Sequence, residues 1–314
     1  SDYYVKAELT VFTDEELHAT VNASTLLKLI SKTTATAVEF KIEDRFLIMK
    51  GNGTYKLPLI YDGDEMLTIP TPPAMEDICT TKFNYNTLES VSVYNSKELA
   101  KAKVIINPIQ KLYLVDANGC VTFTTGACIN SFDTGLDRPV FFSSKVVNLF
   151  KLFKGNDSVN FTLGKTGEQL KYKFESNNVS LTCVHPAGDI SSYPVASIRG
   201  MANEDNYENK VTLNRTELLN IVDRLEIING VIQPMKLTFS TNNKLTISSS
   251  SGGQEEIDFQ SDEPVDYELS IDVIDLKLSI DKFSGSDMTL MFGNEQAVVV
   301  KRGKIAFIIP EVVS

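Results

Sequence analysis

The chain has 314 residues, of which 42% are hydrophobic and 23% are charged, and its formal net charge is −11. This composition is typical of a globular protein with two or three domains and a sizeable buried core. The acidic balance argues against a simple DNA-binding domain, since such domains are usually basic, so a nucleic-acid partner would require locally concentrated positive charge.

Most hydrophobic residues recur with a period of two along the chain. The alternation is clear over residues 36–42, 170–174, 235–239 and 288–292. Turn-forming pairs of Asn and Gly, such as Asn118–Gly119, separate these stretches. The pattern predicts antiparallel strands that are covered on one face.

Five short helices are predicted between these strands, each after a residue that favours the helix N-cap. In chain order the predicted caps are Asn22, Asn84, Ser143, Asn214 and Ser270. They are 62, 59, 71 and 56 residues apart, which indicates an internal repeat.

The predicted repeat unit contains a strand, a helix and a meander of strands. The first unit has a strand at 17–21, a helix to Lys32 and strands near 37–43, 45–50 and 53–59. The same string recurs from Val140 and from Val265. Helices that leave and re-enter one meander lie on one side of it, so the predicted fold class is α+β, with sheets on the outside and helices on one face.

Several segments, taken together and in order, resemble the bacterial DNA sliding clamp family, the beta subunit of DNA polymerase III. Val121-Thr-Phe-Thr-Thr-Gly resembles the family's strand that ends in Thr-Asp-Gly, and Ala306-Phe-Ile-Ile-Pro-Glu resembles its hydrophobic C-terminal tail. Ser192-Tyr193 resembles its Phe-Pro-Asp-Tyr turn. Further similar segments are 21–30, 55–59, 211–219 and 244–248.

The resemblance implies three domains of two repeat units each, whereas the chain shows five units. We expect the second half of a first domain at 1–73, a second domain at 74–200 and a third at 201–314. The first half of the first domain is then either truncated or absent. The family's function is non-catalytic: a cytoplasmic ring, here expected to be a homodimer, encircles duplex DNA and tethers the polymerase catalytic subunit. A clamp loader is the other implied partner, and no cofactor is needed.

Basic residues on or near the predicted helices are candidates for the DNA-facing lining of such a ring. Lys28 and Lys32 share a helix face, as do Lys145 and Lys151. The full implied set is Lys28, Lys32, Lys97, Lys101, Lys145, Lys151, Arg224 and Lys282. The alternative is an ordinary solvated helix face, because basic residues also favour helix C-termini. Asp272 and Asp275 weaken the case for the last helix.

The resemblance also implies a hydrophobic pocket for partner peptides between the second and third domains. By position it comprises Ile109, Thr124, Gly126, Ile129, Ser191, Ala196, Phe307, Ile309 and Pro310. An apolar groove beside an exposed tail suits a short hydrophobic peptide. Thr125, the Ala127–Cys128 pair, the Ser191–Ser192 pair and Glu311 depart from the family's usual residues, which leaves the preferred peptide open.

The C-terminal segment is expected to divide its side chains between two faces. Period two sends Phe307 and Ile309 to one face and Ala306 and Ile308 to the other. The resemblance assigns Phe307 and Ile309 to the groove, with Pro310 directing the exit of the tail. The alternative is that Ile129, Phe307 and Ile309 are plain strand core.

Two other classes of function remain possible interpretations of the sequence. One is a clamp-fold adaptor that binds partner peptides without encircling DNA. The other is an unrelated β-rich hydrolase, for which His185 and Asp189 are the strongest residues, although no G-x-S-x-G turn accompanies them. Lys165–Gly167 is interpreted as a hairpin turn, and no phosphate-binding loop motif is present.

The cysteines and the apolar runs bear on compartment and metal binding. Cys79, Cys120, Cys128 and Cys183 have no CxxC spacing, so reduced intracellular thiols and no metal site are expected. The longest apolar runs, such as residues 305–310, are far shorter than the roughly 20 residues that span a bilayer. No basic-then-apolar leader opens the chain, so neither secretion nor a membrane partner is expected.

Overall fold

The structure, a computed structural model, describes residues 3–13, 15–92, 112–123, 126–186, 193–229, 234–281 and 283–312. The chain divides into two compact units. Residues Glu8–Ala74 form one, and the second is formed by the chain on either side of it. The described helices are α1 (Ala23–Lys32), α2 (Tyr85–Val91), α3 (Ser144–Val147), α4 (Val195–Met201), α5 (Arg215–Asn229) and α6 (Val273–Asp281).

The strands follow the predicted meanders closely. They are β1 (Tyr3–Ala7), β2 (Glu39–Glu43), β3 (Phe46–Lys50), β4 (Thr54–Pro58), β5 (Tyr61–Asp62), β6 (Glu65–Met66), β7 (Glu76–Phe83), β8 (Leu112–Asp116), β9 (Gly119–Phe123), β10 (Ala127–Ser131), β11 (Val140–Ser143), β12 (Val159–Thr166), β13 (Gln169–Glu175), β14 (Val179–Val184), β15 (Asn209–Asn214), β16 (Met235–Ser240), β17 (Lys244–Ser249), β18 (Gln254–Gln260), β19 (Tyr267–Ile271), β20 (Asp287–Phe292), β21 (Val298–Arg302) and β22 (Ile305–Ile309). The strand predicted at 17–21 is reduced to one bridge, between Val21 and Leu59.

Four of the five predicted N-caps are confirmed by hydrogen bonds from the first helical turn. The side-chain oxygens of Asn22, Asn84, Ser143 and Asn214 accept backbone N–H groups three residues on. The fifth was wrong by two residues. Ser270 lies in β19, and the Asp272 carboxylate caps α6 by accepting the N–H groups of Ile274 and Asp275 at 2.8 and 3.1 Å.

The unit Glu8–Ala74 contains α1, a three-stranded sheet and a short hairpin. The sheet has the order β2-β3-β4, and β5 pairs with β6. Leu47, Met49, Leu57 and Leu59 form its small core, against which Leu26 and Leu29 of α1 pack. The helix supports the sheet through one face only, since none of its residues is fully buried.

The second unit is built on two larger sheets. One has the order β1-β14-β13-β12-β7. In it β1 pairs antiparallel with β14, so residues 3–7 join this unit although they were expected in the first domain. The other sheet has twelve strands in the order β11-β8-β9-β10-β22-β21-β20-β15-β18-β17-β16-β19.

Four helices of this unit lie on one face of the twelve-stranded sheet. Cys120 packs with residues of α2 and α3, and Cys128 packs with residues of α5 and α6. Cys128 lies opposite Thr122, two residues from Cys120 on the same strand, so both thiols point to the same face. The α+β class with helices gathered on one side is therefore confirmed, and α4, on the opposite face, is an exception that the repeat did not predict.

The buried thiols behave as core residues. Burial raises the pKa of Cys120 and of Cys183 to about 12, so both stay protonated near neutral pH. Among the described residues, no three His, Cys, Asp or Glu side chains are grouped to hold a metal ion. In the same part of the chain, no helix is both long and apolar enough to cross a membrane.

Candidate functional site

The pairing of β10 with β22 joins the strands of the expected second and third domains into one sheet. The two strands are antiparallel, with Ala127 opposite Ile308 and Ile129 opposite Ala306. β10 is also paired with β9, and β22 with β21, so the hydrogen-bonded ladder is continuous across the junction. Both faces of this junction carry apolar side chains, and they differ in what covers them.

The inner face of the junction is the one toward helices α2, α3, α5 and α6. Phe307 and Ile309 lie here, each 3% exposed, within the largest core of the molecule. The Phe307 ring meets that of Phe283 edge-on, with centroids 5.6 Å apart. The assignment of Phe307 and Ile309 to a groove was therefore wrong, because both side chains complete the core.

The outer face of the junction carries a smaller apolar cluster. Ile129, Ala306 and Ile308 belong to it, together with Met291 and Val299. Val195 and Ile198 of α4 pack against this cluster and are themselves only partly buried. Ile129 and Ile308 thus share the outer face, whereas Phe307 and Ile309 lie on the inner one.

Gly126 and Pro310 meet at one end of this outer cluster. A Cβ atom added to Gly126 would lie 1.8 Å from the Ile308 carbonyl oxygen and 3.1 Å from Pro310 Cδ. Only glycine allows the β10 backbone to approach the end of β22 so closely. The structure therefore brings Gly126, Ile308 and Pro310 together as the sequence analysis expected for Gly126 and Pro310.

Of the remaining predicted pocket residues, the structure describes only Ala196. Ala196 is exposed on α4, beside Val195. Ile109, Thr124 and Ser191 lie outside the described residues. The described part of the pocket is therefore Gly126, Ile129, Ile308, Pro310 and the start of α4, which we call the junction groove.

An ion pair that sequence reasoning missed fixes α4 over this face. Arg199 Nη2 donates to Asp116 Oδ1 at 2.8 Å, and Nη1 donates to the Asn118 carbonyl oxygen at 3.0 Å. Both side chains are about one-fifth exposed. Because Asp116 and Asn118 lie at the β8–β9 turn, the guanidinium ties α4 to these two strands. The 83-residue separation left no local signal for this pair.

His185 and Tyr193, which precede α4 in the chain, both contact the ring of Phe141. The ring nitrogen Nε2 of His185 accepts the Phe141 N–H at 3.3 Å, while Nδ1 donates to the Pro186 carbonyl oxygen at 2.7 Å. Tyr193 contacts the Phe141 ring edge-on, with centroids 4.8 Å apart. Burial lowers the pKa of His185, in keeping with a neutral ring that accepts at Nε2. These contacts give His185 a structural role.

The predicted DNA-facing residues fall into two described groups. Lys28 and Lys32 are exposed on α1 of the unit Glu8–Ala74. Lys145 on α3 and Lys151 in the following 3-10 turn, Phe150–Phe153, are exposed on the second unit. Lys97, Lys101 and Lys282 lie outside the described residues.

Arg224 differs from these lysines because its charge is already partnered. Its Nε and Nη2 donate to the two carboxylate oxygens of Glu255 on β18, at 2.8 and 2.5 Å. The Glu255 carboxylate raises the pKa of Arg224, and the guanidinium lowers the pKa of Glu255. A phosphate would have to compete with Glu255 for the same donors.

Comparison with known proteins places the fold. No family model and no curated protein sequence matches the chain. Solved structures do match over nearly its whole length. A DNA polymerase III beta sliding clamp from Pseudomonas aeruginosa, bound to griselimycin, has a TM-score of 0.80 at 14% identity, with 100% of this chain and 86% of that chain covered.

Two further structures agree with this match. A beta sliding clamp from C. crescentus has a TM-score of 0.76 at 18% identity, covering 100% of this chain and 86% of that one. A DNA polymerase III beta subunit from Eubacterium rectale has a TM-score of 0.73 at 16% identity, covering 99% and 86%. The chain therefore has the fold of the bacterial DNA polymerase III beta sliding clamps.

Proposed function

We propose that the chain is a subunit of a DNA sliding clamp, a non-catalytic ring that encircles duplex DNA and tethers a polymerase. The observation that carries the proposal is the helix layer: α2, α3, α5 and α6 lie on one face of a continuous sheet. Such a layer presents an ordered helical surface to a rod-like partner. The fold shared with known clamps supports the same conclusion.

Ring closure would use exposed strand edges on two copies of the chain. Within the described residues, β18 pairs with β17 along one side and with β15 only at Phe259 and Gln260. β4 pairs on one side with β3. Unpaired edges favour association with another chain. Glu256 of β18 and Lys56 of β4 have no ion-pair partner among the described residues, so the two edges offer charges of opposite sign.

An apolar patch adjoins the edge of β18 and suits the same contact. Ile227 and Ile228 at the end of α5 are 84% and 57% exposed. A Cβ atom on Gly253, just before β18, would lie 3.5 Å from Ile228 Cδ1, so patch and edge form one surface. Large exposed apolar residues beside a strand edge mark an association surface.

Light scattering on the intact protein tests this closure. We expect a particle of two subunits, and we expect the Ile227→Asp, Ile228→Asp double variant to be a folded monomer. Met201→Asp, at an exposed apolar residue of α4, is the matched control and keeps the wild-type mass. A wild-type monomer at micromolar concentration would contradict the ring.

The junction groove is the proposed tether for the polymerase and for a clamp loader. Its apolar side chains and partly buried α4 residues suit a peptide with two or three large apolar anchors. The alternative function, an adaptor that binds peptides without encircling DNA, is favoured by the partnered charge of Arg224. Stimulation of a polymerase on circular primed DNA distinguishes the two, because an adaptor would bind the peptide without increasing product length.

A further inference from the structure

The helix layer of the second unit is divided electrostatically between its two domains. In the second domain, α2 contains one acidic residue, Glu89, and residues 144–154, which contain α3 and the 3-10 turn, include three lysines and no acidic residue. Helices α5 and α6 together contain five acidic and three basic residues. Both groups lie on the same face of the sheet, so a duplex crossing that face would meet both.

The basic segment presents its lysines on a rigid support. Val146, Val147, Phe150 and Phe153 are buried in the second-domain core and hold the segment in place. Lys145, Lys151 and Lys154 are exposed between them. Within the part of the chain that the structure describes, Lys151 and Lys154 have no carboxylate partner. Their positive charge is available to an anion in solution.

The third-domain helices, by contrast, hold all their described cations in internal contacts. Lys277 Nζ lies 2.7 Å from Asp223 and 2.5 Å from Glu226, and these carboxylates raise the pKa of Lys277. Arg224 is bound by Glu255. The guanidinium of Arg215 donates to the carbonyl oxygens of Gly285 and Ile280.

This arrangement has a direct consequence for a polyanion. The exposed Glu217 of α5 adds negative charge to a surface where Arg224 and Lys277 are already paired with carboxylates. Backbone phosphates would be repelled there and attracted over residues 144–154. The attraction comes from exposed charges, so it is screened by salt.

We propose that duplex DNA contacts the 144–154 segment and is held away from the helices of the third domain. In each subunit, the phosphates of the duplex then contact the second domain rather than the third. This inference rests on the proposed function, since it concerns how DNA sits against the proposed clamp. The occupant is double-stranded DNA recognised through its phosphates and without base specificity.

The test is equilibrium binding of a short fluorescent duplex to the full chain over a series of NaCl concentrations. The Lys151→Glu, Lys154→Glu double variant should lower the slope of log affinity against log salt by about 1.8, at about 0.9 for each lost phosphate contact. Arg224→Gln, the matched control in the third domain, should leave the slope unchanged. Glu217→Gln, which removes an exposed negative charge from α5, should strengthen binding.

The outcomes separate this inference from the proposed function. Equal losses for the second-domain double variant and for Arg224→Gln, with the wild type binding duplex, would overturn the preference for the second domain alone. A folded wild-type ring that fails to bind duplex even at low salt would overturn both. Circular dichroism on each variant confirms that the substitutions at exposed positions leave the fold intact.

Discussion

The two faces of the β10–β22 junction contrast sharply in how they are covered. On the inner face, Phe307 and Ile309 are enclosed by helices α5 and α6 within the largest core. On the outer face, Ile129 and Ile308 belong to a smaller cluster, against which Val195 and Ile198 of the seven-residue helix α4 pack while partly exposed. Phe307 therefore packs in the core on the inner face, whereas Ile308, the next residue of β22, lies on the outer face.

The contrast teaches where stability and binding reside in this region. The inner face buries its aromatic and aliphatic side chains completely, which stabilises the joined sheet. The outer face is held by a small number of contacts, chiefly the Arg199–Asp116 ion pair and the packing of Val195 and Ile198. Because Ile129 and Ile308 are buried, α4 would have to move for a partner peptide to reach the outer face.

The largest expected effect comes from truncating the inner face. Phe307→Ala should lower the free energy of unfolding by about 3–5 kcal/mol, because it opens a cavity beside Phe283. Urea denaturation followed by circular dichroism measures it.

Ile308→Ala is the matched outer-face variant. It should weaken binding of an apolar polymerase peptide by calorimetry, by about 1–3 kcal/mol. Equal peptide affinity for Ile308→Ala and wild type would remove Ile308 from the groove.

A smaller effect is expected from releasing the cover of the outer face. Arg199→Met should cost about 1–3 kcal/mol, because it leaves Asp116 without its charged partner. Hydrogen exchange should rise over residues 195–201, while the strands of the inner core keep their protection. The double variant with Asp116→Asn should recover part of the loss. Unchanged exchange in α4 after Arg199→Met would show that packing alone holds the helix.

The smallest expected effect is a pH dependence that originates at His185. Its folded pKa is lowered by burial below the usual value of about 6.5, so the unfolded chain binds more protons in that range. The stability that neutral His185 contributes is fully present above the unfolded pKa. It is lost as the pH falls from the unfolded pKa through the folded pKa. The thermal midpoint should decline from pH 7 to pH 5 less steeply in His185→Asn than in the wild type. Parallel profiles would assign the decline to other groups.

Much of the fold could be predicted from the sequence because its signals are local. Asn22, Asn84, Ser143 and Asn214 cap the helices that they precede, since a cap acts within three residues. Ser270 failed because Ile271 pairs with Met235 and extends the strand, which passes the capping position to Asp272.

The candidate site was harder to predict because its determinants are distant in sequence. Period two separates Phe307 from Ile308 correctly, but both faces of β22 are apolar, so hydrophobicity does not tell which one meets the helices. Phe307 faces the helices because it pairs with Cys128, whose side chain packs with residues of α5 and α6. Helix α4 has too few turns for a clear apolar period, and Arg199 meets Asp116 only in the folded chain.

The pairing of β1 with β14 has a mechanical consequence for residues 8–74. The chain leaves the five-stranded sheet from β1, at one edge, and returns to it as β7, at the other edge. The intervening unit is therefore tethered at both ends to a single sheet. One proteolytic cut in either connection would leave the unit attached by the other. Release of residues 8–74 as a separate fragment would therefore require two cuts, one in each connection.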